Sequence, residues 1–345
     1  MILARVPARR RPLLALAATA IAVSSLAFAP APVRAAEPII MKMGTATLND
    51  MQHEFLRRYQ AAVDKDSKGR IKVQIYPASQ LGSIPREIEA TQFGSIQAYV
   101  GPPEFLSGVD PRFEALSAPN LLGNLEHATR VLNDKEFSTA FLSLGADKGL
   151  KGIALFVHGP TAFDTRKPVN TFADLKGMKI RVLAAQLQME QIARFGATAV
   201  PMALDQVLPA LQQGAIDGVM ADLPVFTSLR YADAAKYVFE ADQAMLCSIV
   251  VISKQWYDGL PPDLQTIVTS DGTKVAHDLL PWIVQYTSEQ KKLWLSQGGV
   301  IVTPTPEQHR AIDALMASVD GIVLKGKPQV QKMVDLAAAA AARTK

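Results

Sequence analysis

From residue 39 onward the chain alternates short β-like runs with amphipathic helical blocks, and this alternation most narrows the folds open to it. Residues 39–44 read as a strand, 53–65 as a helix and 70–76 as an alternating strand that Pro77 ends. Residues 86–93 are helical and 96–100 strand-like, with Pro102 and Pro103 breaking the chain at that strand's end. The pattern then resumes. Residues 153–158 and 179–182 read as strands on either side of a short helix at 171–175, with Thr171 as its cap and Asp174 at its third position. Helices follow at 186–195 and 204–213, the second starting near Ala203 and stopping at Gly214, and then strands at 215–220 and 249–252. A long helical pattern covers 264–297, with a kink or break expected at Pro281. A strand at 300–303, two late helices and an alanine run at 337–342, expected to fray, complete the chain. Strand-helix units on both sides of the middle, with no low-complexity spacer, imply an α/β protein of two lobes joined by crossings of the chain. Sheets of this kind take ligands at strand ends.

The first residues have another character. Arg5, Arg9, Arg10 and Arg11 precede an apolar run at 13–28, and Val33-Arg34-Ala35 follows, which is the pattern of a secretory signal cleaved after Ala35. The run is short and interrupted, favouring removal over a retained span. Arg10 and Arg11 before Pro12 also loosely fit a twin-arginine pattern. Residues 1–35 hold five arginines and no acid, so the net charge of +4 becomes 31 basic against 32 acidic residues once they are gone. That balance gives no footing for a nucleic-acid partner. Nothing after Ala35 is long and apolar enough to cross a bilayer, so the chain without its signal is not expected to be membrane-embedded. Cys247 is the sole cysteine and cannot form an internal disulfide. Stability must come from a hydrophobic core, which ~310 residues can supply.

Catalytic constellations are thin. His53, His127, His158, His277 and His309 are widely separated, with no partner cysteine and no zinc-type spacing, and each reads as ordinary surface or core. Phosphate-cradling, nucleophile-elbow and dinucleotide motifs are missing, so neither a cofactor, a metal nor an enzymatic activity is expected. Arg181 stands out instead. Flanked by Ile180 and Val182 in a short β-like run, its side chain must leave on one face while its neighbours anchor the other. A guanidinium held this way can give two parallel hydrogen bonds to one carboxylate. Spacing alone favours a surface or interdomain salt bridge over such a clamp.

Several segments, taken in order, resemble the solute-binding proteins of tripartite ATP-independent periplasmic (TRAP) transporters. They are "GRIKVQIYPASQLGS" from Gly69, "EIEATQFGSIQAYV" from Glu87, "KPVNTFADLKGMKIRV" from Lys167, "GATAVPMALDQVLPALQQGAIDGV" from Gly196 and "WYDGLPPDLQTIV" from Trp256. The resemblance implies a two-lobed periplasmic-binding-protein-like fold with a ligand cleft between the lobes and a long late helix. Residues 37–158 with 247–286 are expected to form lobe I, 159–246 with 287–330 lobe II, and 331–345 a C-terminal tail. It further implies an exported receptor that captures a small organic acid and delivers it to a TRAP membrane permease. The alternative is a periplasmic sensing partner of a receptor kinase.

In this family an arginine of the "KIRV"-type strand pairs with the ligand carboxylate, and Arg181 holds that position. The departures matter as much. Members that take highly hydroxylated sugar acids carry a second arginine where this chain has Thr161, and an asparagine where it has Ala221. Pro102 replaces an acidic residue, and Leu204 an aromatic one. One charge anchor is left facing Pro102, Phe163, Leu204 and Ala221, which suits a monocarboxylate with an apolar body. Phe163 either stacks on the ligand or belongs to the core. Asp222 either binds a ligand amine or hydroxyl, joins a metal-bridged carboxylate, or caps the next helix. Gln243 completes the expected ligand-binding set.

Overall fold

The structure, a computed structural model, describes residues 37–345; the signal-type segment and its cleavage after Ala35 lie outside the described residues. The chain opens with β1 (Ile39–Gly44), α1 (Met51–Asp66), β2 (Ile71–Tyr76), α2 (Ile84–Gln92) and β3 (Ala98–Gly101). Two 3-10 turns, Pro103–Leu106 and Pro111–Ser117, lead to α3 (Leu125–Leu132), α4 (Lys135–Leu142) and β4 (Leu150–Pro160). A second series follows: β5 (Ala162–Thr165), β6 (Lys179–Val182), α5 (Gln186–Arg194), β7 (Thr198–Pro201), α6 (Val207–Gln213), β8 (Gly218–Ala221), α7 (Leu223–Ser228) and β9 (Tyr237–Phe239). The chain then returns through β10 (Met245–Ser253), α8 (Lys254–Asp258) and α9 (Pro262–His277). It ends with α10 (Leu280–Ser296), β11 (Val300–Val302), α11 (Pro306–Met316), α12 (Val319–Val323) and α13 (Pro328–Arg343).

Two sheets organise these elements. The first has the order β2-β1-β3-β10-β4, and the second β11-β9-β5-β8-β6-β7. β1 runs parallel to β2 and β3, as helical crossovers require, whereas β10 is antiparallel to both β3 and β4. Every residue of β10 is buried, which explains why its sequence is a continuous apolar run instead of an alternating one. The first lobe's core is sealed by α1, whose Phe55 stacks on Phe156 of β4 at 5.1 Å and on Tyr59 at 5.6 Å. The chain passes between the lobes at residues 160–162, again at 240–245, and twice more in its C-terminal part, where α9 packs on the first lobe, α10 touches both, α11 and α12 pack on α5, and α13 returns to the first lobe.

The break expected at Pro281 is there: the helical pattern at 264–297 is two helices, α9 stopping at His277 and Pro281 sitting in the first turn of α10, where its missing N–H costs nothing. The structure departs from sequence expectation in two places. Helices α3 and α4 have no counterpart in the periodicity reading. The alanine run does not fray. It is the end of α13, whose Val330, Met333, Val334, Ala337, Ala340 and Ala341 form a buried stripe at helical spacing. That stripe lies on the Pro111–Ser117 turn, α3 and α4, and the end is tied down by Arg343, which donates to Asp134 at 2.8 Å. Among the described residues no helix is long and apolar enough to cross a membrane.

Candidate functional site

Strand β6 places Arg181 in register with Val219 of β8, which in turn faces Asp164 of β5, so the three share one face of the second sheet. Arg181 is 1% exposed. Its Nε donates to the Met202 carbonyl at 2.9 Å, but its Nη2 has no hydrogen-bond partner, and no carboxylate pairs with it among the described residues. Burial pulls the guanidinium down to about 10, against the attraction of Tyr231. The Tyr231 hydroxyl and both Asp164 oxygens are buried without partners too, and burial raises the pKa of each. An unpaired cation in so dry a place is costly unless an anion joins it.

Arg181 opens onto a cavity of about 10 Å³ between the lobes. That is room for roughly one water. Gln52 and Pro102 wall it from the first lobe; Thr161 and Leu246 from the crossing strands; Leu183, Gln188, Leu204, Met220, Ala221 and Val225 from the second. Arg181 is the only charged side chain among these walls. Four of the residues singled out from sequence, Thr161, Pro102, Leu204 and Ala221, are therefore brought together with Arg181. Gln52, Gln188 and Met220 were missed, since each is contributed by packing and carries no local sequence signal.

Three residues expected to contact the ligand do not line this cavity. Phe163 is one position out of phase with the Arg181 row, so it leaves the opposite face of the sheet and meets Phe195 edge-on at 5.4 Å as a fully buried core residue. Gln243 is buried beside the cavity, its Nε2 3.2 Å from the Met220 sulfur and its Oε1 without a partner. Asp222 caps α7, accepting from the Val225 N–H at 3.3 Å, and borders a different, larger cavity of about 390 Å³ on the far side of the crossing strands. The larger cavity has less claim as a ligand site, because its cation, Lys291, is already paired with Glu240 at 2.5 Å.

His158 is not the ordinary core histidine expected. Its Nδ1 lies 2.5 Å from Asp222 and its Nε2 3.2 Å from Asp50, all three being buried. Asp50 caps α1 and Asp222 caps α7, so one imidazole joins helix starts from both lobes. Burial opposes its charge, yet the Asp222 carboxylate, with Asp50 behind it, pushes His158 up to about 10. Gly159 makes the approach possible, because a Cβ there would stand 2.6 Å from the Asp222 Oδ2. Among the described residues no group of three or more His, Cys, Asp or Glu side chains is arranged to hold a metal.

The sequence profile of the bacterial extracellular solute-binding proteins, family 7, matches residues 43–320. The 2,3-diketo-L-gulonate-binding periplasmic protein YiaO of Escherichia coli is 27% identical over 283 residues, spanning 81% of this chain and 85% of that protein. The C4-dicarboxylate-binding periplasmic protein DctP of Rhodobacter capsulatus is 27% identical over 238 residues, 67% of this chain and 70% of its own. Among solved structures, a TRAP periplasmic solute-binding protein from Desulfovibrio salexigens with bound orotic acid superposes with a TM-score of 0.84 at 24% identity, covering 89% of this chain and 99% of that one. One from Shewanella oneidensis with bound succinate gives 0.81 at 22% identity, covering 88% and 99%.

Proposed function

Because the chain belongs to the bacterial extracellular solute-binding proteins of family 7, the periplasmic receptors of TRAP transporters, we propose that it captures a small monocarboxylate with an apolar body and hands it to a membrane permease. Proteins of this family bind and deliver solutes; they are not enzymes. The observation that carries the ligand reading is the single buried guanidinium of Arg181, without a carboxylate and with its Nη2 unpartnered, at a cavity whose other walls are uncharged. One carboxylate would satisfy it with two charge-assisted hydrogen bonds. A second carboxylate would find no cation there, and the hydroxyls of a sugar acid would face apolar walls and three polar ones, Gln52, Thr161 and Gln188, whose side chains already hydrogen-bond within the protein. Each hydroxyl left unpaired costs roughly 1–3 kcal/mol. The cavity has room for roughly one water, so a monocarboxylate must part the lobes to enter and must hold them wider around it than they stand here.

Isothermal titration with aliphatic, aromatic and 2-oxo monocarboxylates, alongside succinate and D-glucuronate, tests this. A monocarboxylate should bind most tightly, and Arg181→Ala should weaken it by about 2–5 kcal/mol. Tighter binding of succinate or D-glucuronate than of every monocarboxylate would refute the ligand class. Undiminished binding by the alanine variant would refute the anchor.

A further inference from the structure

Helix α5 begins one short turn after the strand that carries Arg181, yet it lacks a cap of its own. Ala185 stands at the N-cap position with cap-type extended backbone, φ −95° and ψ 133°, but has no oxygen to offer. The capping carboxylate comes from the other lobe. Glu114, on the Pro111–Ser117 turn, accepts through Oε2 from the N–H of Gln186 at 2.8 Å and of Leu187 at 3.4 Å. Its Oε1 accepts from Lys327 Nζ at 3.2 Å, and the same ammonium donates to Gln186 Oε1 at 2.5 Å. Lys327 stands where the chain passes from α12, packed on the second lobe, to α13, packed on the first. One turn further along α5, Gln191 Nε2 donates to the Ser117 carbonyl at 2.7 Å, and Gln188, a wall of the Arg181 cavity, reaches Ser117 Oγ at 3.4 Å.

A helix start presents unpaired N–H groups and positive potential, both of which a carboxylate satisfies. When the lobes part, Glu114 leaves with the first lobe and Ala185 cannot replace it. A contact across the lobes that is lost on opening and regained on closing would bias the opening equilibrium.

We propose that Glu114 is a positioning residue for solute capture, supplying from the first lobe the missing N-cap of α5 and so holding the receptor shut over the Arg181 cavity. Glu114 does not line that cavity, so it governs release and leaves first recognition to Arg181. The idea rests on two-lobed closure and not on the identity of the acid.

The test uses the whole chain with nitroxide labels on cysteines replacing Lys72 and Lys176, exposed positions on the first and second lobes. Pulsed dipolar spectroscopy without ligand should show that Glu114→Gln moves population from the short to the long interlobe distance. Stopped-flow binding with 2-oxobutanoate as the probe should show release about tenfold faster, with the association rate nearly unchanged. Ala185→Ser in the Glu114→Gln background supplies a cap from within α5. It should recover the melting temperature but neither the short distance nor the slow release. Unchanged distances and release in Glu114→Gln, or full recovery of both by Ala185→Ser, would overturn the proposal and leave Glu114 a local helix cap. If 2-oxobutanoate fails to bind the parent protein, the ligand reading is damaged while the distance measurement still decides the latch.

Discussion

Arg181 is a residue whose functional and structural interests conflict. Its strand neighbours Ile180 and Val182 are fully buried, so the guanidinium is carried into the protein and held with one nitrogen unpartnered and its pKa depressed to about 10 by burial. Removing such a charge relieves a desolvation penalty, whereas removing a paired one would not. The Arg181→Met variant, which keeps the aliphatic bulk, should melt at or above the parent's temperature in ligand-free buffer, gaining up to about 1–3 kcal/mol, while losing acid binding. A large drop in melting temperature with binding retained would make Arg181 a structural group. At this scale sequence was a fair guide where a strand neighbour set direction. It left Phe163 open between ligand and core, because a side chain's face depends on register with β8, and no single segment contains that information.

At the scale of elements, helix starts are where the lobes meet. Asp50 opens α1, Asp222 opens α7, and both carboxylates hold the His158 imidazolium of β4, as Glu114 opens α5 from across the cleft. Replacing His158 by Gln leaves two buried carboxylates without a counter-charge. It should cost about 3–5 kcal/mol near neutral pH, read from urea unfolding. The sign with pH follows from the raised pKa. The contribution is complete below 6.5, the free histidine value, and fades as pH climbs through about 10, so parent and variant should converge over that window. A gap that stays constant from pH 6.5 to 10 would mean His158 is neutral in the fold. The C-terminal helix makes a comparable point: its alanines look like a fraying tail until the apolar stripe is matched to the Pro111–Ser117 turn, α3 and α4.

For the whole molecule, buried acids set the pH response. Glu87 and Glu104 lie within the first lobe with oxygens that have no partner, and burial raises them to about 8 and about 7. Both bind protons more tightly folded than unfolded, as His158 does, so stability must fall as pH rises above 4.5. In the other direction Asp50 and Asp110, held below the ordinary aspartate value of 3.8 by His158 and Arg112 in spite of burial, stabilise above that value and lose their effect in stronger acid. The urea midpoint should therefore peak at about pH 5 and decline toward pH 9. A midpoint that increases from pH 5 to 9 would show those glutamates ionised in the native state.

The alternation of strands and helices, the apolar continuity of β10, the stop at His277 before Pro281 and the placing of Arg181 between two apolar strand neighbours were all decided locally, by side-chain period and by proline's missing N–H. Tertiary structure alone decided which walls face that cation, that Glu114 and Ser117 reach α5, and that His158 sits between two acids 108 and 64 residues away along the chain. The reason is physical: a cleft is made where the chain crosses between lobes, its groups come from segments with no common period, and their partners are settled by packing, which acts across distances that local sequence pattern does not encode.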